Sequence, residues 1–100
     1  ERKRMMFDFA EAFIALPGGP GTLEEITEMI SWSRIGQNPH PCMFYDINGF
    51  YQATRTVYDQ MVAQGFLTQV DRDKIGFATT TEEVADFIDG YQPPALRTYI

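Results

Sequence analysis

The residues Pro17-Gly18-Gly19-Pro20-Gly21-Thr22 stand directly before Leu23-Glu24-Glu25, so a glycine-rich loop and two carboxylates share one short stretch. Glycines can take positive φ and let a ligand reach the main chain without a Cβ in the way. The N–H groups of Gly18, Gly19 and Gly21, with those of Thr22 and Leu23 at a helix start, would converge on a phosphate-like anion and use the helix dipole. Carboxylates serve a different chemistry, since they orient or deprotonate water or stabilise a developing cation. The stretch therefore sets a site for an anion beside groups that repel one.

The loop spacing fits neither G-x-G-x-x-G nor G-x-x-x-x-G-K-[ST], and no lysine follows it, which argues against a dinucleotide site or an ATPase loop. Thr22-x-x-Glu25 is also a capping-box pattern, in which Thr22 would cap the helix and Glu25 would reach back to its N–H. On that reading Glu24 is a carboxylate favoured by the dipole. Three glycines around Pro20 are a costly way to make a turn, which favours a ligand.

The elements that would hold this stretch alternate. Residues 1–11 carry a helical pattern with Met5, Met6, Phe9 and Ala12 on one face. No capping residue precedes them, and three basic residues stand at the unfavourable end of the dipole. The chain is therefore expected to be the C-terminal portion of a larger protein. Ala12–Leu16 is a wholly apolar run, as for a strand buried on both faces. A helix over 22–35 follows, with Leu23, Ile26, Met29 and Ile30 inward and Gly36 as its stop. Strands are expected at Cys42–Tyr45 and Lys74–Ala78. Between them lie a turn at Asp46–Gly49 and a helix near 49–64, with Phe50, Ala53, Val57 and Met61 inward. A last helix over 82–90 is capped from Thr79-Thr80-Thr81. Helix, then three strand–helix units, implies an α/β fold, a Rossmann-like parallel sheet with flanking helices. Residues 1–91 are assigned to that domain and 92–100 to an irregular tail. Three parallel strands leave an edge whose partners are expected from upstream sequence or another chain.

Composition narrows the function. The chain has 100 residues, 44% hydrophobic, with a net charge of −6. That balance disfavours nucleic-acid polymers and anionic membranes, which need clustered Lys and Arg; the one dense basic cluster is Arg2-Lys3-Arg4. No apolar run approaches the ~20 residues of a membrane span. Cys42 is the only cysteine, and no Cys/His cluster suggests a metal site. The expected location is cytoplasmic. His40 reads as a surface loop residue, Cys42 as a small buried hydrophobe, and Trp32 and Tyr45 as packing aromatics.

The stretch Pro17-Gly18-Gly19-Pro20-Gly21-Thr22-Leu23-Glu24-Glu25 resembles the P-G-G-x-G-T-x-x-E motif of the Lonely Guy (LOG) family, the cytokinin riboside 5′-monophosphate phosphoribohydrolases. Arg2-Lys3, with Met6 after it, resembles the family's second motif, and the similarity continues through "AFIALPGG", "ISWSRIG" and "DINGFY" to about Tyr91. The resemblance implies hydrolysis of the N-glycosidic bond of a cytokinin riboside 5′-monophosphate, or of AMP, to free base and ribose 5-phosphate. It implies Arg2 and Glu25 as the catalytic pair, with Lys3, Gly18, Gly19, Pro20, Gly21, Thr22, Leu23 and Glu24 binding substrate. Ser31 stands where relatives have a Thr contact. Neither cofactor nor metal is implied, and assembly as a homodimer or larger homo-oligomer is. Members are often labelled lysine decarboxylase-like, yet Lys3 and Lys74 are the only lysines, and neither has a recognisable pyridoxal-phosphate setting. A nucleotide-binding or sensing module that keeps the loop without turnover is the alternative. On the hydrolase reading the 5′-phosphate takes the loop, and the carboxylates face a sugar that gains oxocarbenium character as the C1′–N bond breaks.

Overall fold

The computed structural model describes the backbone of residues 6–8 and all of residues 12–95. Four strands form one sheet in the order β1 (Met6–Asp8), β2 (Phe13–Ala15), β3 (Cys42–Tyr45) and β4 (Ile75–Ala78). Strands β2, β3 and β4 are parallel, with Ala15 opposite Phe44 and Phe44 opposite Phe77. The helices α1 (Pro20–Arg34), α2 (Gln52–Ala63), α3 (Gln69–Arg72) and α4 (Thr81–Asp89) fill the connections and follow the last strand. This is the Rossmann-like α/β arrangement that the alternation implied.

One element differs. Met6–Asp8 lies within the segment with the helical pattern, yet it is a strand, antiparallel to β2 with Met6 opposite Ala15. A short apolar run does not distinguish helix from strand by periodicity. The outer edge of β2 carries unpaired backbone groups that an adjacent segment satisfies by pairing. The edge expected to await an outside partner is thus occupied on the β2 side.

The two faces of the sheet bury different helices. Cys42 and Phe44 point into a cluster with Ala15, Ile26, Ile30, Tyr51, Tyr58, Leu67 and Ile75. Met43, on the opposite side of β3, packs with Ala12, Ile14 and Ala78 against Val84, Phe87 and Ile88 of α4. Met43 and Phe44 are both fully buried, so β3 is covered on both faces. Gly76 lets α4 lie close: a Cβ there would stand 2.9 Å from the Phe87 ring and from Met43 Cβ.

Helix ends follow local chemistry. α1 and α2 stop at Gly36 and Gly65, with φ of 82° and 85°. In each the next residue donates back across the last turn, Gln37 N–H to Trp32 O at 2.8 Å and Phe66 N–H to Met61 O at 2.8 Å. That double-bonded glycine terminus satisfies carbonyls the helix leaves open.

The α2 face differs from the expected one. Phe50, Ala53, Val57 and Met61 are exposed, whereas Tyr51 and Tyr58 are buried and Val62 half-buried. Tyr51 lies 4.7 Å from the Phe44 ring centroid, and burial pushes the Tyr58 phenol up to about 12. The two aromatic rings carry more apolar area than the aliphatic stripe, so they set the rotation of the helix.

Candidate active site

The glycine loop leaves the C-terminal end of β2, the end of an open α/β sheet where ligands bind. α1 begins at Pro20 with Gly19 as its N-cap. The expected start at Thr22 is therefore two positions late, and Thr22 is not the cap. It lies on the third helical position, buried, on one stripe with Ile26, Ile30 and Ser33. Leu23, expected on that stripe, is 41% exposed.

The T-x-x-E pattern recurs before α4, and there Thr80-x-x-Glu83 is a genuine cap. Thr80 caps α4 by accepting the Glu83 N–H at 3.1 Å, while Glu83 Oε1 accepts the Thr79 N–H at 2.7 Å. These bonds hold the Glu83 carboxyl below its ordinary value, the Thr79 backbone bond most of all. At α1 the register is shifted by the earlier start at Pro20, so the capping-box reading of Thr22 and Glu25 does not hold. Glu25 is half-buried a full turn inside the helix.

Nor do Gly19 and Gly21 serve the geometry of the described residues. The described glycines with left-handed φ are Gly36, Gly49 and Gly65, and Gly18, Gly19 and Gly21 are not among them. A Cβ on Gly19 or Gly21 would meet nothing within 4 Å among the described residues. Neither backbone strain nor internal packing asks for glycine at these two positions.

What the loop offers is donors. A helix leaves its first N–H groups without partners four residues back. Pro20 at the first position has none to leave, which is where proline is best tolerated. The Leu23 N–H, expected to join the anion site, instead donates to Gly19 O at 3.2 Å. The groups of Gly19, Gly21 and Thr22 remain at the positive end of α1. Among the other residues named from sequence, Pro20 and Glu24 are exposed and Gly18 is half-buried. Ser31 is exposed and shares a helix face with Glu24, about 10 Å along the axis from it. Arg2 and Lys3 lie outside the described residues.

A network that sequence reading missed holds the loop's base. Tyr51 Oη donates to Leu16 O at 2.6 Å, and the Tyr51 N–H donates to Asp46 Oδ1 at 2.8 Å. Tyr51 and Asp46 are each 3% exposed. Desolvation first, and the Asp46 charge second, raise the Tyr51 phenol and keep it a donor. The signal was Asp46-Ile47-Asn48-Gly49, read only as a turn; Asn48 and Gly49 both have positive φ, and the turn brings the Tyr51 N–H back to Asp46. His40, by contrast, packs edge-on at 6.0 Å from Phe13. Cys42 is buried, and burial pushes its thiol up to about 12. No group of three or more His, Cys, Asp or Glu poised for a metal occurs among the described residues, and no described helix is long and apolar enough to cross a membrane.

One substitution separates anion binding from folding. Gly19→Asp puts a favoured capping carboxylate at the N-cap, where its Cβ has room, so thermal stability is expected to hold or rise slightly. The same carboxylate would fill the anion position expected from the sequence, and affinity for the nucleoside monophosphate that the LOG resemblance implies is expected to fall about a hundredfold, or ~3 kcal/mol. Calorimetric melting and a binding isotherm on one preparation read both signs; parallel loss of stability and affinity would count against the anion site.

A glycine loop between a parallel strand and a helix start, with a carboxylate inside that helix, stands at the C-terminal edge of the sheet in an α/β protein. A model of the family described as "Possible lysine decarboxylase" matches residues 1–88, and the chain belongs to this family. Its curated relatives bear out the LOG resemblance. A probable cytokinin riboside 5′-monophosphate phosphoribohydrolase of Oryza sativa subsp. japonica is 40% identical over 93 residues, covering 93% of this chain and 44% of that protein. A second rice protein, named cytokinin riboside 5′-monophosphate phosphoribohydrolase, is 41% identical over 93% of this chain and 38% of its own length. One of the same name from Arabidopsis thaliana is 37% identical, with 93% and 43% covered. The chain thus spans less than half the length of these relatives.

Proposed function

We propose that the protein bearing this chain is a nucleoside 5′-monophosphate phosphoribohydrolase acting on cytokinin riboside monophosphates or AMP. Water adds at C1′ as the C1′–N bond breaks, the bonding pair leaves with the base, and the base takes up a proton. The products are free base and ribose 5-phosphate. The observation that carries the reading is the start of α1: two glycines whose missing side chains serve neither φ nor packing among the described residues, beside first-turn N–H groups that have no partner within the helix. The 5′-phosphate binds there, with Gly18 and Pro20 shaping the loop. Glu25 faces the sugar, where its charge stabilises the oxocarbenium-like transition state or activates water. Arg2 balances phosphate and carboxylate charge, with Lys3, Leu23, Glu24 and Ser31 completing the substrate contacts.

The test incubates the intact protein with AMP and with isopentenyladenosine monophosphate and follows free base by chromatography. Base release with ribose 5-phosphate in equal amount is expected. Binding without release would replace this reading with the sensor module. We further propose a homodimer or larger homo-oligomer located in the cytoplasm, without nucleic-acid or membrane partners. The exposed apolar stripe Phe50, Val57 and Met61 supports self-association. A monomer by light scattering at working concentration would contradict the oligomer, and membrane association on cell fractionation would contradict the location.

A further inference from the structure

We propose that Tyr51 is a positioning residue for the glycine loop: through Leu16 it sets the direction of the amides that grip the phosphate. This rests on the phosphoribohydrolase reading for its ligand and on observed contacts for its geometry. Three hydrogen bonds join the C-terminal ends of the parallel strands in one chain. The Asp46 N–H, just beyond β3, donates to Ala78 O at the end of β4 at 2.7 Å. Asp46 Oδ1 accepts the Tyr51 N–H, and Tyr51 Oη donates to the carbonyl of Leu16, the first residue after β2.

The anchor is firm at one end and consequential at the other. The Tyr51 ring lies 4.7 Å from the Phe44 centroid and 4.9 Å from that of Phe50, and Gln52 Nε2 adds a contact to Asp46 Oδ2 at 3.4 Å. Holding Leu16 O fixes the plane of the Leu16–Pro17 peptide. Pro17 has its φ locked by its ring, so that orientation passes into Gly18 and the loop. Beyond that point the chain has glycines, which supply no stiffness of their own. An amide cradle needs a fixed direction to bind a dianion well, because donors aimed in advance cost nothing to reorganise.

The test is Tyr51→Phe in the intact protein, which keeps the ring and removes only the hydroxyl. The dissociation constant for AMP is expected to rise about tenfold, one hydrogen bond's worth, with the melting temperature lowered by only a few degrees and the affinity for adenosine unchanged. In turnover the loss falls on KM, while kcat stays within a few-fold. Tyr51→Leu, which loses ring and hydroxyl together, is expected to lower the melting temperature and weaken both ligands. Wild-type AMP affinity in Tyr51→Phe, or equal losses for AMP and adenosine, overturns the proposal. Should the parent protein bind no AMP, the phosphoribohydrolase reading fails on its own. Amide hydrogen exchange at Gly18, Gly19, Gly21 and Thr22 then decides: about tenfold faster exchange in Tyr51→Phe upholds the positioning role, and unchanged exchange ends it.

Discussion

Glu25→Gln is expected to lower base release from AMP by about a thousandfold, within the range that general acid–base and electrostatic groups supply, while AMP affinity changes only a few-fold. The amide keeps the shape and hydrogen-bonding reach of the side chain but neither its charge nor its basicity. An oxocarbenium-like transition state gains from a nearby negative charge far more than the neutral ground-state sugar does, so the deficit falls on the chemical step. Glu25 is suited to the part because α1 fixes its backbone and it is half-buried, whereas Glu24 next to it is exposed. Glu24→Gln accordingly has the smaller effect. Single-turnover base release beside an AMP isotherm checks both halves. Wild-type turnover in Glu25→Gln would remove it from the chemistry while leaving the phosphate loop untouched.

Phe44→Ala is expected to cost about 4 kcal/mol of folding stability, a large share of the roughly 5–15 kcal/mol that a domain possesses. Phe44 has no exposed surface. Its ring stacks on Phe77 at 4.8 Å and contacts Tyr51 at 4.7 Å and Tyr58 at 6.3 Å. Truncation leaves a void on the central strand that neighbours from β4 and α2 cannot fill together, because each is held by other bonds. Tyr51 is tied to Asp46 and Leu16, and Phe77 lies beneath the Arg72 guanidinium, 5.2 Å from its ring centre. Urea unfolding should show a lower midpoint with an unchanged slope. A midpoint shift worth less than about 1 kcal/mol would mean the aromatic cluster collapses onto the gap.

The parallel sheet was legible because Ala12–Leu16, which stops at Pro17-Gly18, and Cys42–Tyr45, which starts after Pro41, are runs too short for helices and alternate with helical patterns along the chain. Gly36 and Gly65 marked helix ends for an equally local reason, the left-handed residue each terminus needs. Legibility failed where two local signals competed. Thr22-x-x-Glu25 and Thr80-x-x-Glu83 are the same pattern, yet Pro20 starts α1 early and leaves only Thr80 at a cap. α2 offered two apolar stripes a fraction of a turn apart, and the choice between them was made by distant partners, Phe44 and the Leu16 carbonyl. Contacts across 35 residues leave no periodic trace. Met6–Asp8 paired with an edge that a one-dimensional pattern does not display. Within the candidate site the loop glycines were singled out by residue type and Glu25 by the family motif, while Asp46 and Tyr51 were not, since their contacts reach another strand's end.

Cys42, the chain's only thiol, also makes the molecule its own stopwatch. With 3% of its surface exposed and its proton held to about 12, the sulfur is shielded from maleimides and disulfide reagents as long as β3 stays in place. Reagent uptake therefore counts openings of the innermost strand one by one, with no engineered probe.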